Sequence, residues 1–222
     1  PTTKLDLNED TSFIAEFTKG SYDYSIEYYY DGVKGKTDTK KAVFEEVITL
    51  NPDVSVTYGG SPYTLDEVKN NPLTIDTDNK KNIIKVYYSK DENKDQIPDK
   101  YQIKVMYKAV NGTIDAVHEN EPGNKMFYVT LYKNGEYATV EDGGIGHLSD
   151  EQIATATAAR GYDQNSLKWS PKTPTTKLDL NEDTSFIAEF TKGSYDYSIE
   201  YYYDGVKGKT DTKNAAFEEV IT

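Results

Sequence analysis

The sequence predicts a β-rich α+β fold in which two small, unlike modules are strung along one chain. Short segments that alternate β-branched or aromatic residues with polar ones recur between Gly, Pro and Asp turns, and only one segment has convincing helical spacing. The aromatic residues are mainly tyrosine, with 20 Tyr against seven Phe and one Trp. A tyrosine ring packs while its hydroxyl reaches water or a polar partner, so this composition suits thin sheets wetted on one face.

A near-identical repeat sets the organisation. Residues 1–49 recur at 174–222, and the two copies differ only where Lys41 becomes Asn214 and Val43 becomes Ala216. Such identity indicates recent tandem duplication of a 173-residue unit, so we expect the natural protein to continue in both directions. The predicted division is the tail of a preceding second-type module (1–19), a first-type module (20–90), an acidic linker (91–99), a second-type module (100–192) and the start of another first-type module (193–222).

In the first-type module, strands are predicted at Ser25–Tyr30 and Asn82–Tyr88, which are flanked by turn residues. Asp31-Gly32 and the segment 58–62 (Tyr-Gly-Gly-Ser-Pro) have turn composition. The segment 64–69 is predicted to form a short helical turn.

In the second-type module, strands are predicted at 101–107, 126–132 and 184–190, the last identical in sequence to 11–17. One helix is predicted near 149–160. Ser149 and Gln152 match a capping box, Ile153, Ala156 and Ala159 have partial helical spacing, and Gly161 follows where a left-handed residue ends a helix.

The residues of both modules resemble known families. Ser25–Gly32, Pro72–Ile75 and Asn82–Tyr88 resemble the mucin-binding-protein-like (MucBP-type) repeats of Firmicutes surface proteins, which implies a β-grasp-like module. Leu148–Ala154, Leu167–Pro171 and Glu182–Phe190 look like the internalin B-type repeats of listerial and clostridial surface proteins. The resemblance implies a Gram-positive adhesin or stalk, exposed at the cell surface or cell wall, whose partners are adjacent repeats and either mucin glycans or a host surface protein.

Composition and charge narrow the function classes. The net charge of −13 repels phosphate backbones and anionic lipids, so we expect no nucleic-acid partner and no direct membrane insertion. There is no cysteine, no signal peptide and no run of 18 apolar residues. We expect export and anchoring signals to lie outside these residues.

The acidic linker carries the best local motif for a ligand. Its pattern Asp-x-Asn-x-Asp-x-Ile-x-Asp covers Asp91, Asn93, Asp95, Ile97 and Asp99 and places oxygen-bearing side chains on alternate residues, as Ca²⁺ loops require. The turn glycine of such loops is replaced by Gln96, which would lower calcium affinity. The alternative is a solvated acidic linker ended by Pro98. No cofactor is required; calcium, if bound, would stiffen the joint.

Tyrosine clusters are the candidate contact sites. In a strand, Tyr28 and Tyr30 share one face and Tyr29 takes the other, so some of these rings must be partly exposed for a glycan or protein. Tyr87 and Tyr88 form a second cluster. Trp169 is predicted to close a small core rather than to stack on a sugar.

No pattern in the sequence predicts catalysis. The two histidines, His118 and His147, lack metal-ligand spacing, and the paired carboxylates lie in polar surroundings. We therefore expect a non-enzymatic stalk that spaces a binding domain from the cell wall. The alternative is a weak multivalent binder of mucin glycans or host protein.

Overall fold

The computed structural model describes residue 12, residues 14–115 and residues 126–222. The chain divides into two units, Pro1–Gln96 and Ile97–Thr222, and the boundary falls within the predicted acidic linker. Strands dominate both units. Helical structure in the described residues is confined to three 3₁₀ turns, at Asp99–Tyr101, Asp150–Gln152 and Gln164–Ser166. The predicted β-rich fold is thereby confirmed.

The first unit is built on a five-stranded mixed sheet of order β2-β1-β7-β5-β4. Its first and last strands are parallel neighbours in the middle of the sheet, and the other pairs are antiparallel. A two-stranded pair, β3 with β6, lies apart from the sheet. The strands are β1 (Ser21–Tyr30), β2 (Val33–Val43), β3 (Val47–Ile48), β4 (Ser55–Tyr58), β5 (Ser61–Lys69), β6 (Leu73–Thr74) and β7 (Ile83–Lys90).

Alternation along β1 and β7 places the core on one face of this sheet. Tyr24 and Ile26 from β1 are buried with Ile84, Val86 and Tyr88 from β7. The Asp31-Gly32 turn joins β1 to β2 with φ of 46° and 78°, the left-handed pair that a tight hairpin turn requires. Both strands predicted for this module are present.

The helical turn predicted at 64–69 is wrong, because this segment lies within β5. Thr64 is fully buried, and its hydroxyl donates to the Val54 carbonyl at 3.1 Å. Tyr63, Thr64 and Leu65 pair with β7, and a bulge follows Leu65. Pairing with two neighbouring strands outweighs the weak local helical preference of Leu-Asp-Glu.

The second unit has a four-stranded sheet of order β10-β8-β15-β14 and three strand pairs, β9 with β13, β11 with β12 and β16 with β17. Here too two distant strands, β8 and β15, are parallel neighbours at the centre. The strands are β8 (Gln102–Val110), β9 (Gly112–Ile114), β10 (Met126–Thr130), β11 (Tyr132–Lys133), β12 (Glu136–Tyr137), β13 (Ala156–Ala158), β14 (Lys168–Ser170), β15 (Thr184–Glu189), β16 (Ser194–Tyr203) and β17 (Val206–Ala216).

The core of the second unit is aromatic at its centre. Tyr107, Phe186 and Phe190 are each 0–1% exposed, and Tyr107 stacks on Phe186 at 5.4 Å between ring centroids. Trp169 packs edge-on against Tyr107 at 5.8 Å and is partly buried against the same cluster. The prediction that Trp169 closes a core is therefore confirmed.

The helix predicted near 149–160 is wrong, although its start signal is present. The Ser149 N–H donates to Gln152 Oε1 at 3.0 Å, but the helical turn ends at Gln152. Beyond it, buried Ala154 and Ala156 alternate with exposed Thr155 and Thr157, a period of two. Ala156–Ala158 then pairs with Gly112–Ile114 as strand β13. The β-branched threonines favour this extended form.

The repeat offers the same sequence in two environments. β16 and β17 repeat β1 and β2 with equivalent pairing, but no described strand pairs with the other edge of β16. Residues 187–189 lie in β15 and Phe190 directly follows it, whereas the identical residues 14–17 form no strand. Phe190 is 1% exposed and its counterpart Phe17 is 93% exposed. Partners from elsewhere in the chain, rather than local sequence, decide whether this segment becomes a strand.

Candidate functional site

The first unit contains an open groove beside the end of β1. Its volume is about 270 Å³, and its lining is Tyr28, Tyr30, Lys36, Leu50, Asn51, Pro52, Asp53, Val56 and Tyr88. Tyr28 and Tyr30 extend the face of β1 that buries Tyr24 and Ile26, so they lie half-buried where the core reaches the surface. Asn51 and Asp53 are exposed at the rim. The groove thus combines aromatic walls with amide and carboxylate groups able to bind hydroxyls.

The Tyr30 ring is held within a cluster of tyrosines. Tyr58 stacks on it at 3.8 Å with the two planes 2° apart, and Tyr88 stacks at 5.7 Å. Tyr63 approaches edge-on at 5.3 Å. Gly35 of β2 is needed here, because a Cβ at that position would lie 2.7 Å from the Tyr30 ring. The Tyr30 ring is thus occupied by contacts with other tyrosines of the protein. Tyr58, which is 43% exposed, presents aromatic surface beside the groove.

The other aromatic walls carry polar partners. Lys36 Nζ lies 5.2 Å from the centroid of the Tyr28 ring and forms an ion pair with Asp38 at 3.0 Å. Burial, followed by the charge of Asp38, raises the pKa of Tyr28. The Tyr88 hydroxyl donates to the Asp53 carbonyl at 2.9 Å, and burial raises the pKa of Tyr88 to about 12. Both phenols are therefore neutral donors at physiological pH.

Tyr29 lies on the opposite face and does not join the groove. It stacks on Tyr87 at 4.9 Å, and its hydroxyl donates to Glu27 Oε2 at 2.7 Å. That hydrogen bond raises the pKa of Tyr29 to about 12. The pKa of Glu27 is lowered by its hydrogen bonds from Lys34 and Tyr29. Of the three predicted contact residues, the fold brings Tyr28 and Tyr30 together and separates Tyr29.

The groove depends on elements far from β1 in sequence. Tyr201, Tyr202 and Tyr203 repeat Tyr28, Tyr29 and Tyr30 but are 38%, 58% and 64% exposed in the β16–β17 hairpin. Among the described residues, only the first copy has the segment 50–53, β4 and β7 beside it. Tyr58 and Tyr63 were not predicted as part of this cluster. The Gly-Gly turn between them was the available signal, since a hairpin there brings its flanking residues together.

The first part of the acidic linker forms a closed loop around Asp91. This side chain is 2% exposed; its Oδ1 accepts from the Asp95 N–H at 3.1 Å and its Oδ2 from the Gln96 N–H at 3.0 Å. Asn93 Nδ2 donates to Asp95 Oδ2 at 3.0 Å. Gln96 has a φ of 70°, which is the left-handed conformation for which calcium loops use glycine.

The boundary between the two units falls within the predicted calcium motif. Asp91, Asn93 and Asp95 belong to the loop in the first unit, whereas Ile97 and Asp99 belong to the second unit, where Asp99 begins a 3₁₀ turn. Within the described ranges, no group of three or more His, Cys, Asp or Glu side chains has a metal-binding arrangement. The Asp95 and Gln96 N–H groups, by donating to Asp91, hold the ends of this loop together.

Of the two histidines, the structure describes His147. His147 Nε2 lies 2.8 Å from Asp179 Oδ1, and both side chains are exposed. His118 lies outside the described residues.

No protein-family model fits the chain, and no curated protein is significantly similar to it. In the described part of the chain, helices reach neither the length nor the apolar character needed to cross a bilayer.

Proposed function

We propose that this chain is part of the repetitive stalk of a bacterial cell-surface adhesin, where it spaces a binding domain away from the cell wall without catalysing a reaction. The observation that carries the proposal is the parallel pairing of early and late strands in each unit, β1 with β7 and β8 with β15. The resemblance to MucBP-type and internalin B-type repeats supports an extracellular, Gram-positive setting and adjacent repeats as partners.

Parallel pairing places the two ends of each sheet module far apart. The chain enters β1 at one end of the sheet and leaves β7 at the other, so one module adds the length of a strand. Ten residues at about 3.3 Å each give roughly 30 Å. The second unit repeats this arrangement with Val105–Val110 beside Thr184–Glu189. Near-identical repeats then add length at constant design.

The same pairing suits a chain under tension. In the first unit, Ser25–Tyr30 pairs with Ile83–Tyr88, and further bonds run from the Ser25 N–H to the Asn82 carbonyl (2.9 Å) and from the Asp31 N–H to the Tyr88 carbonyl (3.0 Å). A pull on the two ends loads these bonds in shear, so many must break together. In the antiparallel β1–β2 hairpin, by contrast, a pull across the open end breaks them one after another.

Single-molecule pulling tests this proposal, and the absence of cysteine allows unique attachment points. Handles at Ser21→Cys and Lys90→Cys load β1 against β7 in shear. Handles at Ser21→Cys and Val43→Cys load the hairpin in the unzipping direction and serve as the matched control. We expect a several-fold higher unfolding force for the first pair. Equal forces would refute the load-bearing role, as would scattering that shows two tandem 173-residue units collapsed on each other.

The alternative function is weak, multivalent binding of mucin glycans or a host surface protein, and the groove of Tyr28, Tyr30 and Asn51 favours it. Many weak sites on one chain raise the overall affinity through effective concentration. We would expect glycan-array binding to rise steeply with repeat number and to fall in Asn51→Ala, while Tyr29→Ala, on the opposite face, serves as the control. Silence across mucin glycans at high protein concentration would reject this function.

A further inference from the structure

The second unit contains a contact between the second-type module and the hairpin that follows it. The turn at Gly161–Tyr162 meets Phe217, which directly follows β17, with Tyr162 and Phe217 ring centroids 6.1 Å apart. A Cβ at position 161 would lie 2.4 Å from the Phe217 ring, so the ring rests directly on the glycine backbone. Gly161 is buried and has a φ of 89°. Two independent constraints therefore require glycine here.

Backbone hydrogen bonds extend this contact. The Asp163 N–H donates to the Thr191 carbonyl at 2.9 Å, and the Gly193 N–H donates to the Gly161 carbonyl at 2.8 Å. The Phe217 N–H donates in turn to the Gly193 carbonyl at 2.9 Å. The residues between β15 and β16 are thus paired with the turn of the second-type module. They do not behave as a free linker.

The repeat shows which part of this arrangement belongs to the hairpin alone. Phe44 and Gly20 are the counterparts of Phe217 and Gly193, and the Phe44 N–H also donates to the Gly20 carbonyl, at 2.9 Å. Phe44 likewise keeps an edge-on contact with Tyr22, as Phe217 does with Tyr195. In the first copy, however, Gly20 is exposed, whereas Gly193 is buried. The difference is the presence of the Gly161–Tyr162 turn.

We propose that the Gly161–Tyr162 turn is a docking site for the phenylalanine-bearing end of the first-type hairpin, so that a second-type module and the module after it meet at a fixed angle. By the same reasoning, Gly20, Tyr22 and Phe44 form the surface that receives the equivalent turn of a preceding second-type module. The inference deepens the proposed stalk, because a fixed joint transmits direction where a flexible one does not.

Hydrogen exchange measured by mass spectrometry on the full chain tests the joint. A two-stranded hairpin is marginally stable alone, so its protection depends on docking. We expect Phe217→Ala to speed exchange about tenfold in β16, β17 and at Asp163 and Gly193, as loss of a well-packed aromatic contact implies. Phe44→Ala is the matched control, and it should leave those amides unchanged. Gly161→Ala should reproduce the effect of Phe217→Ala from the other side of the contact.

Two results would overturn the proposal. One is unchanged exchange at Asp163 and Gly193 in Phe217→Ala. The other is an effect of Phe217→Ala on its own hairpin no larger than that of Phe44→Ala on β1 and β2. Trp169 fluorescence shows whether the second-type module itself remains folded in each variant. Because exchange is measured without force, failure of the joint is distinguishable from failure of the load-bearing stalk.

Discussion

Replacing the same phenylalanine in its two copies separates the effect of sequence from that of tertiary packing. Phe17 and Phe190 lie in identical local sequences, but Phe17 is 93% exposed and Phe190 is 1% exposed. The Phe190 ring lies against Gly112, where a Cβ would come within 2.6 Å of it, and belongs to the core cluster of the second unit. We therefore compare Phe190→Ala with Phe17→Ala in the full chain.

The expected difference follows from burial. Fully burying a phenylalanine side chain contributes about 1.5–3 kcal/mol, and the cavity left by truncation raises the total cost to about 3–5 kcal/mol. A change at an exposed site away from special features is within about 0.5 kcal/mol. With a urea m-value of about 1.5 kcal/mol/M, a loss of about 4 kcal/mol lowers the unfolding midpoint by roughly 2–3 M.

Urea unfolding followed by tryptophan fluorescence measures this directly. Trp169 is the only tryptophan in the chain and packs in the same cluster as Phe190, so its emission reports unfolding of the second-type module. We expect Phe190→Ala to lower the urea midpoint by roughly 2–3 M and Phe17→Ala to keep the midpoint of the parent chain. A shift below 0.5 M in Phe190→Ala, on the order of the surface effect, or equal shifts in the two variants, would refute the reasoning.

Three further predictions concern the first unit. Gln96→Gly relieves the strain of a left-handed backbone at this position but makes the unfolded chain more flexible. We expect the net free energy of unfolding to rise by about 0.5 kcal/mol. A lower melting temperature in calorimetry would contradict this. Tyr29 and Tyr88, whose pKa values are raised to about 12, should ionise late in absorbance titrations at alkaline pH. Because their folded pKa lies above the unfolded value of about 10, the stability they contribute is complete below pH 10 and is lost as the pH rises through 12. Tyr29→Phe should remove one phenol from those that ionise at high pH. Ionisation of both phenols near pH 10 would exclude the raised pKa values. If the Asp91 loop binds calcium, the metal should raise the melting temperature of the parent chain but not of Asp95→Ala, and identical melting profiles with calcium and with chelator in both proteins would exclude a calcium site.

Strands with clear alternation could be predicted from the sequence, and elements decided by long-range pairing could not. Ser25–Tyr30 and Asn82–Tyr88 carry β-branched and aromatic residues at a period of two, and both fall largely in strands. At 149–160, a true capping box and helical alanine spacing coincide with an equally good period of two. Pairing with Gly112–Ile114 decides that Ala156–Ala158 is a strand. No local pattern contains that information.

The candidate groove could be predicted only in part for the same reason. Period two correctly separates Tyr28 and Tyr30 from Tyr29, because that depends on strand geometry alone. The stacking of Tyr58 on Tyr30 depends instead on β4 and β5 reaching the end of β1 across the sheet. Likewise, the acidic spacing of the linker is visible in the sequence, but the burial of Asp91 is not, since it depends on the surrounding fold. One such long-range contact is the hydrogen bond that the Asp91 N–H donates to the Pro62 carbonyl at 3.2 Å.

Identical strands in one chain raise the question of how β7 selects its partner. β1 and β16 have the same sequence, so contacts of β7 with either would be alike. β16 lies about twice as far from β7 along the chain as β1 does, and doubling a loop costs only about 0.6 kcal/mol in closure entropy. Loop length alone therefore discriminates weakly. Docking of Phe217 on Gly161 adds a second constraint, because it attaches β16 and β17 to the second-type module and opposes their exchange into the first-type module. A joint that fixes the angle between modules would in this way also keep each repeated strand in its own module.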